Sequence, residues 1–336
     1  MKDIISPVPV ELIKAELTED RFVRKTNKGG NLLYIITAND SPNTMMEIGR
    51  LREETFRFAG GGTGKAYDID DYDTGEMAYK QLIVWDPDTE QILGGYRFHI
   101  CSDKNCIKDG AVHLATSRFF NFSDRFVKDY LPHMIELGRS FVQPAYQSTN
   151  LARKGLYALD NLWDGLGTLV MDHPDKHYFF GKVTMYTDYH QEARNMILYF
   201  LEKHFPDHDD LVRPIVPLET NADREKLARI FTGKDYVEDY KILSKEVRER
   251  GEVIPPLINA YMNLSPSMKT FGTVMNTYFG NVEETAILIN INDLYKAKIE
   301  RHLSNYIPIS LRRIKNIRIR DFKIKKLFRR FRFNRS

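Results

Sequence analysis

The stretch HMIELGRSFVQP, residues 133–144, decides the fold. Its apolar, β-branched and aromatic residues favour a strand, and Pro144 stops it. In a regular strand Glu136 and Arg139 point to opposite faces, because side chains alternate. A β-bulge near Gly138 adds one residue and turns both toward the same side. A carboxylate and a guanidinium then share a break in the ladder, where freed backbone N–H groups face a ligand carbonyl. A buried ion pair between strands is the other outcome of the same pattern.

Outward from this strand, NLLYIITA (residues 31–38) is a second β-rich run, ended by the turn Asn39 to Pro42. Residues 44–58 carry helical spacing, with Met46, Ile48, Leu51 and Phe58 recurring and Asn43 as the expected N-cap. A loop rich in glycine and acid follows, AGGGTGKAYDIDDYDTGE (residues 59–76). Residues 79–101 read as a hairpin that turns at Asp86 to Asp88, with its second strand running through Arg97. On the C-terminal side come a helix over 147–170, the strand HYFFGKVTMY (177–186) and a helix over 192–204. The last third alternates short helices with strands, a late one lying within GNVEETAILININDLY (280–295). Strands and helices intermix without a βαβ rhythm or an internal repeat, which predicts an α/β protein with a mixed sheet.

The 336 residues are 42% hydrophobic and 28% charged, which excludes a disordered or collagen-like chain. Cys101 and Cys106 form C-x4-C, no common zinc spacing, and read as free thiols in a reducing compartment. No apolar run reaches the ~18 residues that span a bilayer. Acids interrupt the N-terminal MKDIISPVPVELIKAEL where a signal peptide is apolar, so the expected location is cytoplasmic.

The net charge of +3 hides an asymmetry. Residues 311–336 hold twelve Lys or Arg and one acid, Asp321; taking these from the chain's 49 and 46 leaves 37 basic and 45 acidic residues before them. Phe322, Ile324, Leu327, Phe328, Phe331 and Phe333 are interleaved with the cations. Such a tail suits the headgroup boundary of an anionic membrane; a solvated terminus and nucleic-acid contact are the weaker readings.

Two patterns invite chemistry. The glycine loop is not a phosphate-binding P-loop, because Ala59 stands where the first glycine belongs and Ala66 where Ser or Thr belongs. It reads as a flexible lid over a pocket. Asp68, Asp70, Asp71 and Asp73 crowd six residues without an EF-hand's glycine and distal glutamate. They suit either recognition of an amine or a solvated acidic loop.

LREETFRF (51–58), DIDDYD (68–73), LGGYRF (93–98) and IELGRSFVQPAY (135–146) together resemble the acyl-acceptor branch of the GNAT superfamily. The likeness is to acyl-homoserine-lactone synthases and, more closely, to the ornithine- and glycine-lipid N-acyltransferases often labelled hemolysin-like. VIPPLINAYMNLSPSM (253–268) and ETAILIN (284–290) resemble the C-terminal part of the lipid-forming members.

The resemblance implies a GNAT-like central sheet split in a V and flanked by helices, with a C-terminal α/β extension. The expected organisation is an N-terminal segment (1–30), an acyltransferase domain (31–300, core to about 220, extension 221–300) and a basic amphipathic tail (301–336). Pantetheine would enter between the ELGRS strand and HYFFGKVTMY. An amine would attack a thioester carbonyl while a bulge N–H at Gly138 stabilises the oxyanion. Glu136 is the expected base, and Arg139 would fix Glu136 or hold a substrate carboxylate. Arg52 and Arg97 resemble the family's basic residues; Asp70 and Asp73 would bind the acceptor ammonium; Tyr186 and Tyr189 are candidate acids for the departing thiolate.

Asn150 stands where acetyl-CoA-using members carry the first glycine of their pyrophosphate loop. Arg153 and Lys154 suit a single phosphate instead, as on acyl-phosphopantetheine of acyl carrier protein. The implied enzyme binds no cofactor or metal and moves a long, 3-hydroxylated acyl group to the α-amine of glycine or ornithine in aminolipid biosynthesis. It would sit on the inner face of the membrane through 311–336, with a separate O-acyltransferase completing a diacyl product. An autoinducer synthase and a non-enzymatic membrane-binding protein are the alternatives.

Overall fold

A computed structural model of the chain describes residues 1–75, 77–147 and 152–303 with 306 and 308, the side chains of 152–156 excepted. In chain order the strands are β1 (Phe22–Lys25), β2 (Leu32–Ile36), β3 (Lys80–Asp86), β4 (Gln91–Ile100), β5 (Ile107–Lys108), β6 (Ala111–Val112), β7 (Phe120–Phe122), β8 (Met134–Val142), β9 (Tyr178–Met185), β10 (Val212–Pro214), β11 (Lys269–Asn276) and β12 (Val282–Asn290). The helices are α1 (Val10–Glu16), α2 (Pro42–Phe58), α3 (Asp103–Cys106), α4 (Asp124–Asp129), α5 (Ala152–Asp172), α6 (Gln191–His204), α7 (Arg224–Ile230), α8 (Tyr236–Glu249), α9 (Pro256–Met262) and α10 (Lys296–Leu303).

Eight strands form one sheet in the order β1-β2-β3-β4-β8-β9-β12-β11. Every neighbouring pair is antiparallel except β8 and β9, which run parallel. This is the mixed, GNAT-like sheet expected from the resemblance. The sheet draws on both ends of the chain: β1 lies within residues 1–30, and β11 and β12 within 221–300, beside β9.

Alternation sorts each central strand onto two cores. Ile135 and Leu137 of β8 and Phe179 and Val183 of β9 pack with Leu162, Leu166 and Leu169 of α5. Met134 and Phe180 face the opposite layer, with Phe120 and Phe126. Phe141 of β8 faces that opposite side too, against Ile48 and Leu51 of α2. Strict alternation would put Phe141 on the face of Leu137, so one residue has been inserted between them.

Some boundaries differ from expectation. Ser41, not Asn43, precedes α2, because Pro42 occupies the first turn. Asn43 and Thr44 instead donate backbone and side-chain hydrogen bonds to Glu16. The second hairpin strand continues past Arg97 to Ile100. The glycine loop, expected as a flexible lid, is tied down: the Thr63 amide and hydroxyl and the Gly64 amide donate to the buried Glu53.

Candidate active site

The inserted residue sits where the sequence places it. Gly138 pairs with Arg97 and Phe141 with Gly95, so Arg139 and Ser140 of β8 lie opposite the single residue Tyr96 of β4. Arg139 takes φ of 47°, a left-handed conformation rare for a side chain of its size. Past the bulge, β8 parts from β9. Their parallel ladder ends at Leu137 and Gly181, although β8 runs on to Val142 and β9 to Met185. Gly181 permits the last close approach: a Cβ there would lie 2.4 Å from the Leu137 carbonyl oxygen. At Gly138 a Cβ would meet nothing within 4 Å. A cavity of about 740 Å³ fills the opening. Its lining includes the charged and polar Thr116, Glu136 and Lys182 and the apolar Val142, Leu257 and Ile289, with Gly138 between Glu136 and Val142 along β8.

Glu136 lines this cavity at 1% exposure. Four donors converge on its carboxylate. The Thr116 amide (3.0 Å) and hydroxyl (2.7 Å) reach Oε1, and the Tyr79 hydroxyl (2.5 Å) and Ala115 amide (3.2 Å) reach Oε2. Burial and the adjacent Glu136 charge push the Tyr79 hydroxyl up, so that tyrosine stays a donor. Tyr79 is itself stacked on His99, centroids 4.4 Å apart.

Beside Glu136, three arginines and three aspartates form a buried lattice. Arg52 donates to Asp73 (3.0 Å) and to Gln81; Arg97 bridges Asp70 (2.5 Å) and Asp73 (3.1 Å). Arg139 reaches Asp68 (2.7 Å) and Asp70 (3.3 Å), not Glu136, and stacks over the Phe279 ring. Burial disfavours charge on Asp73, but Arg52 and Arg97 outweigh it and hold the carboxyl well below the usual carboxylate range. Three carboxyls thus face three guanidiniums in this lattice.

The segment of residues 51–155 matches a family model described as acetyltransferase (GNAT) domain. A glycine N(alpha)-acyltransferase of Phocaeicola vulgatus is 55% identical over 307 residues, 91% of this chain and 94% of that protein. A second, from Bacteroides thetaiotaomicron, is 57% identical over 307 residues, 91% of each chain. The chain belongs to the GNAT family of acyltransferases. Among solved structures, a CoA-dependent acyl-homoserine lactone synthase, BjaI, is similar at TM-score 0.35 and 10% identity, covering 81% of this chain and 87% of that one.

For a GNAT acyltransferase the remaining expected residues divide. Tyr186 lines the cavity, and burial pushes its hydroxyl up to about 12. Tyr189 does not line it; its hydroxyl donates to the Val253 carbonyl. Asp70 lines the cavity, whereas Asp73 and Arg52 lie behind it. The side chains of Arg153 and Lys154, and residues 311–336, lie outside the described residues. Tyr79, Thr116, Lys182 and Glu284 escaped the sequence reading. Their pairings, Tyr79 and Thr116 with Glu136 and Lys182 with Glu284 (2.5 Å), join distant segments and leave no local signature. No group of His, Cys, Asp and Glu among the described residues is arranged to hold a metal ion.

Proposed function

We propose that this N-acyltransferase moves a long, 3-hydroxylated fatty acyl group from acyl carrier protein to the α-amine of glycine. The observation that carries the reading is the opening between β8 and β9, whose lining holds both the buried Glu136 and apolar side chains such as Val142, Leu257 and Ile289. The names of the relatives favour glycine over ornithine as acceptor. Asn150, in place of a pyrophosphate-loop glycine, favours the single phosphate of acyl carrier protein over coenzyme A.

In this mechanism Glu136 accepts a proton from the acceptor ammonium through the Thr116 hydroxyl, which already donates to it. The neutral nitrogen attacks the thioester carbonyl carbon, forming the C–N bond. Backbone N–H at the Gly138 bulge receives the oxyanion. Collapse breaks the C–S bond, and Tyr186, protonated at neutral pH, gives its proton to the thiolate. Asp70, Arg97 and Arg139, braced by Asp73 and Arg52, keep the bulge and the charged wall in place. Arg153 and Lys154 would meet the pantetheine phosphate.

The N-acyl amino acid so formed is an aminolipid precursor for a separate O-acyltransferase. The basic tail, residues 311–336, would hold the enzyme on an anionic membrane surface, consistent with no helix among the described residues being long and apolar enough to cross one. The test is incubation of purified protein with 3-hydroxyacyl thioesters of acyl carrier protein or coenzyme A, against glycine, ornithine and S-adenosylmethionine. Mass spectrometry should show N-acylglycine formed fastest from the carrier-protein thioester. Acyl-homoserine lactone, or no transfer to glycine, contradicts the reading.

A further inference from the structure

Among the described residues, four cationic side chains line the cavity: Arg97, Arg118, Arg139 and Lys182. Three are spoken for. Arg97 is held by Asp70 and Asp73, Arg139 by Asp68 and Asp70, and Lys182 by Glu284. Arg118 is exposed and has no carboxylate partner among the described residues; its guanidinium lies 4.7 Å over the ring of Tyr278, another cavity residue. The lattice cations sequence reading marks for substrate are thus occupied internally, and the unspent positive charge sits elsewhere.

Its position is indexed to Glu136. Arg118 lies in the turn whose Ala115 and Thr116 amides donate to the Glu136 carboxylate. The Phe119 amide closes that turn on the Thr116 carbonyl at 3.0 Å, fixing where residue 118 leaves the backbone. Its charge is close enough to act on the hydroxyl of Tyr72, which also lines the cavity. The Tyr278 ring is no hydrogen-bond acceptor of the strength of a carboxylate, so this contact leaves the guanidinium able to grip both oxygens of one.

An amino-acid acceptor carries its carboxylate one carbon away from the reacting nitrogen. With that nitrogen at the Thr116 hydroxyl, its negative end calls for a nearby cation without an internal partner, and Arg118 follows Thr116 by two residues in the same turn. Resting on the reading above, we infer that Arg118 binds the α-carboxylate of the acceptor and so makes the enzyme select amino acids over simple amines. Lys182 cannot serve equally, because Glu284 already neutralises it.

The experiment compares glycine with glycinamide, which keeps the amine and lacks the charged carboxylate, for wild type, Arg118→Met and Arg118→Lys. The selectivity ratio, kcat/KM for glycine over glycinamide, should fall at least about tenfold in Arg118→Met, through KM for glycine, given the strength of charge-assisted hydrogen bonds. Arg118→Lys should keep part of it. An unchanged ratio in Arg118→Met overturns the inference while leaving acyl transfer to glycine standing. If wild type acylates no amino acid, the functional reading falls first and this inference with it.

Discussion

Glu136 is gripped by donors from two segments, Tyr79 ahead of β3 and the Ala115–Thr116 turn, which together orient its carboxylate. Glu136→Gln should keep the fold by circular dichroism and lower kcat by at least about tenfold, the low end of what a positioned base supplies. Asp73 allows a test of stability. Its carboxyl is depressed by Arg52 and Arg97, so the native state holds fewer protons there than the unfolded chain. That stability is present above about pH 4 and is lost as pH falls through the depressed value. Asp73→Asn should therefore cost roughly 3–5 kcal/mol at neutral pH, by leaving the buried Arg52 without a carboxylate and Arg97 with Asp70 alone, and flatten the acid limb in denaturant titrations. At this scale the bulge in ELGRS was legible, because it lies within one strand, whereas the partners of Arg139, Asp68 and Asp70, lie in a separate loop. Tyr79 and Thr116 were not: each meets Glu136 across a separation no periodicity encodes. Asp70 and Asp73 were legible as an acidic cluster, but their pairing with Arg52 and Arg97 was not, because it joins segments distant in sequence.

Among elements, β8 does two jobs with one irregularity. Ahead of the bulge it closes on β9 at Gly181; after it, the strands part and the cavity opens. The two glycines should answer substitution differently. Gly181→Val drives a side chain into the Leu137 carbonyl and should lose about 1–3 kcal/mol of stability. Gly138→Val meets open space, so it should melt as wild type does while turnover collapses because the acyl path is filled. Melting curves and thiol release read the pair. The bulge was readable from Gly138 and Arg139; the start of α2 was not, because Pro42 took the first turn and Glu16, distant in sequence, claimed Asn43 and Thr44.

At the scale of the molecule, one sheet gathers β1 from the N-terminal segment and β11 and β12 from the C-terminal third around the β8–β9 opening. The apolar lining of that opening includes Pro255, Pro256 and Leu257 from the C-terminal third. The acidic body and the basic residues 311–336 suggest a division of labour. Deleting 311–336 should release the protein from anionic vesicles in a flotation assay yet leave turnover of water-soluble substrates in place. Equal flotation of the shortened chain would remove the membrane role. The most direct measurement is a crystal structure with a non-hydrolysable acyl-pantetheine analogue bound. The carbonyl should lie between Gly138 and Gly181, within hydrogen-bonding reach of the β8 bulge and beside the Glu136–Thr116 pair, with the alkyl chain running toward Leu257. An analogue seated elsewhere, with residues 138–142 and 181–185 zipped into a continuous ladder, would contradict acyl transfer at this site.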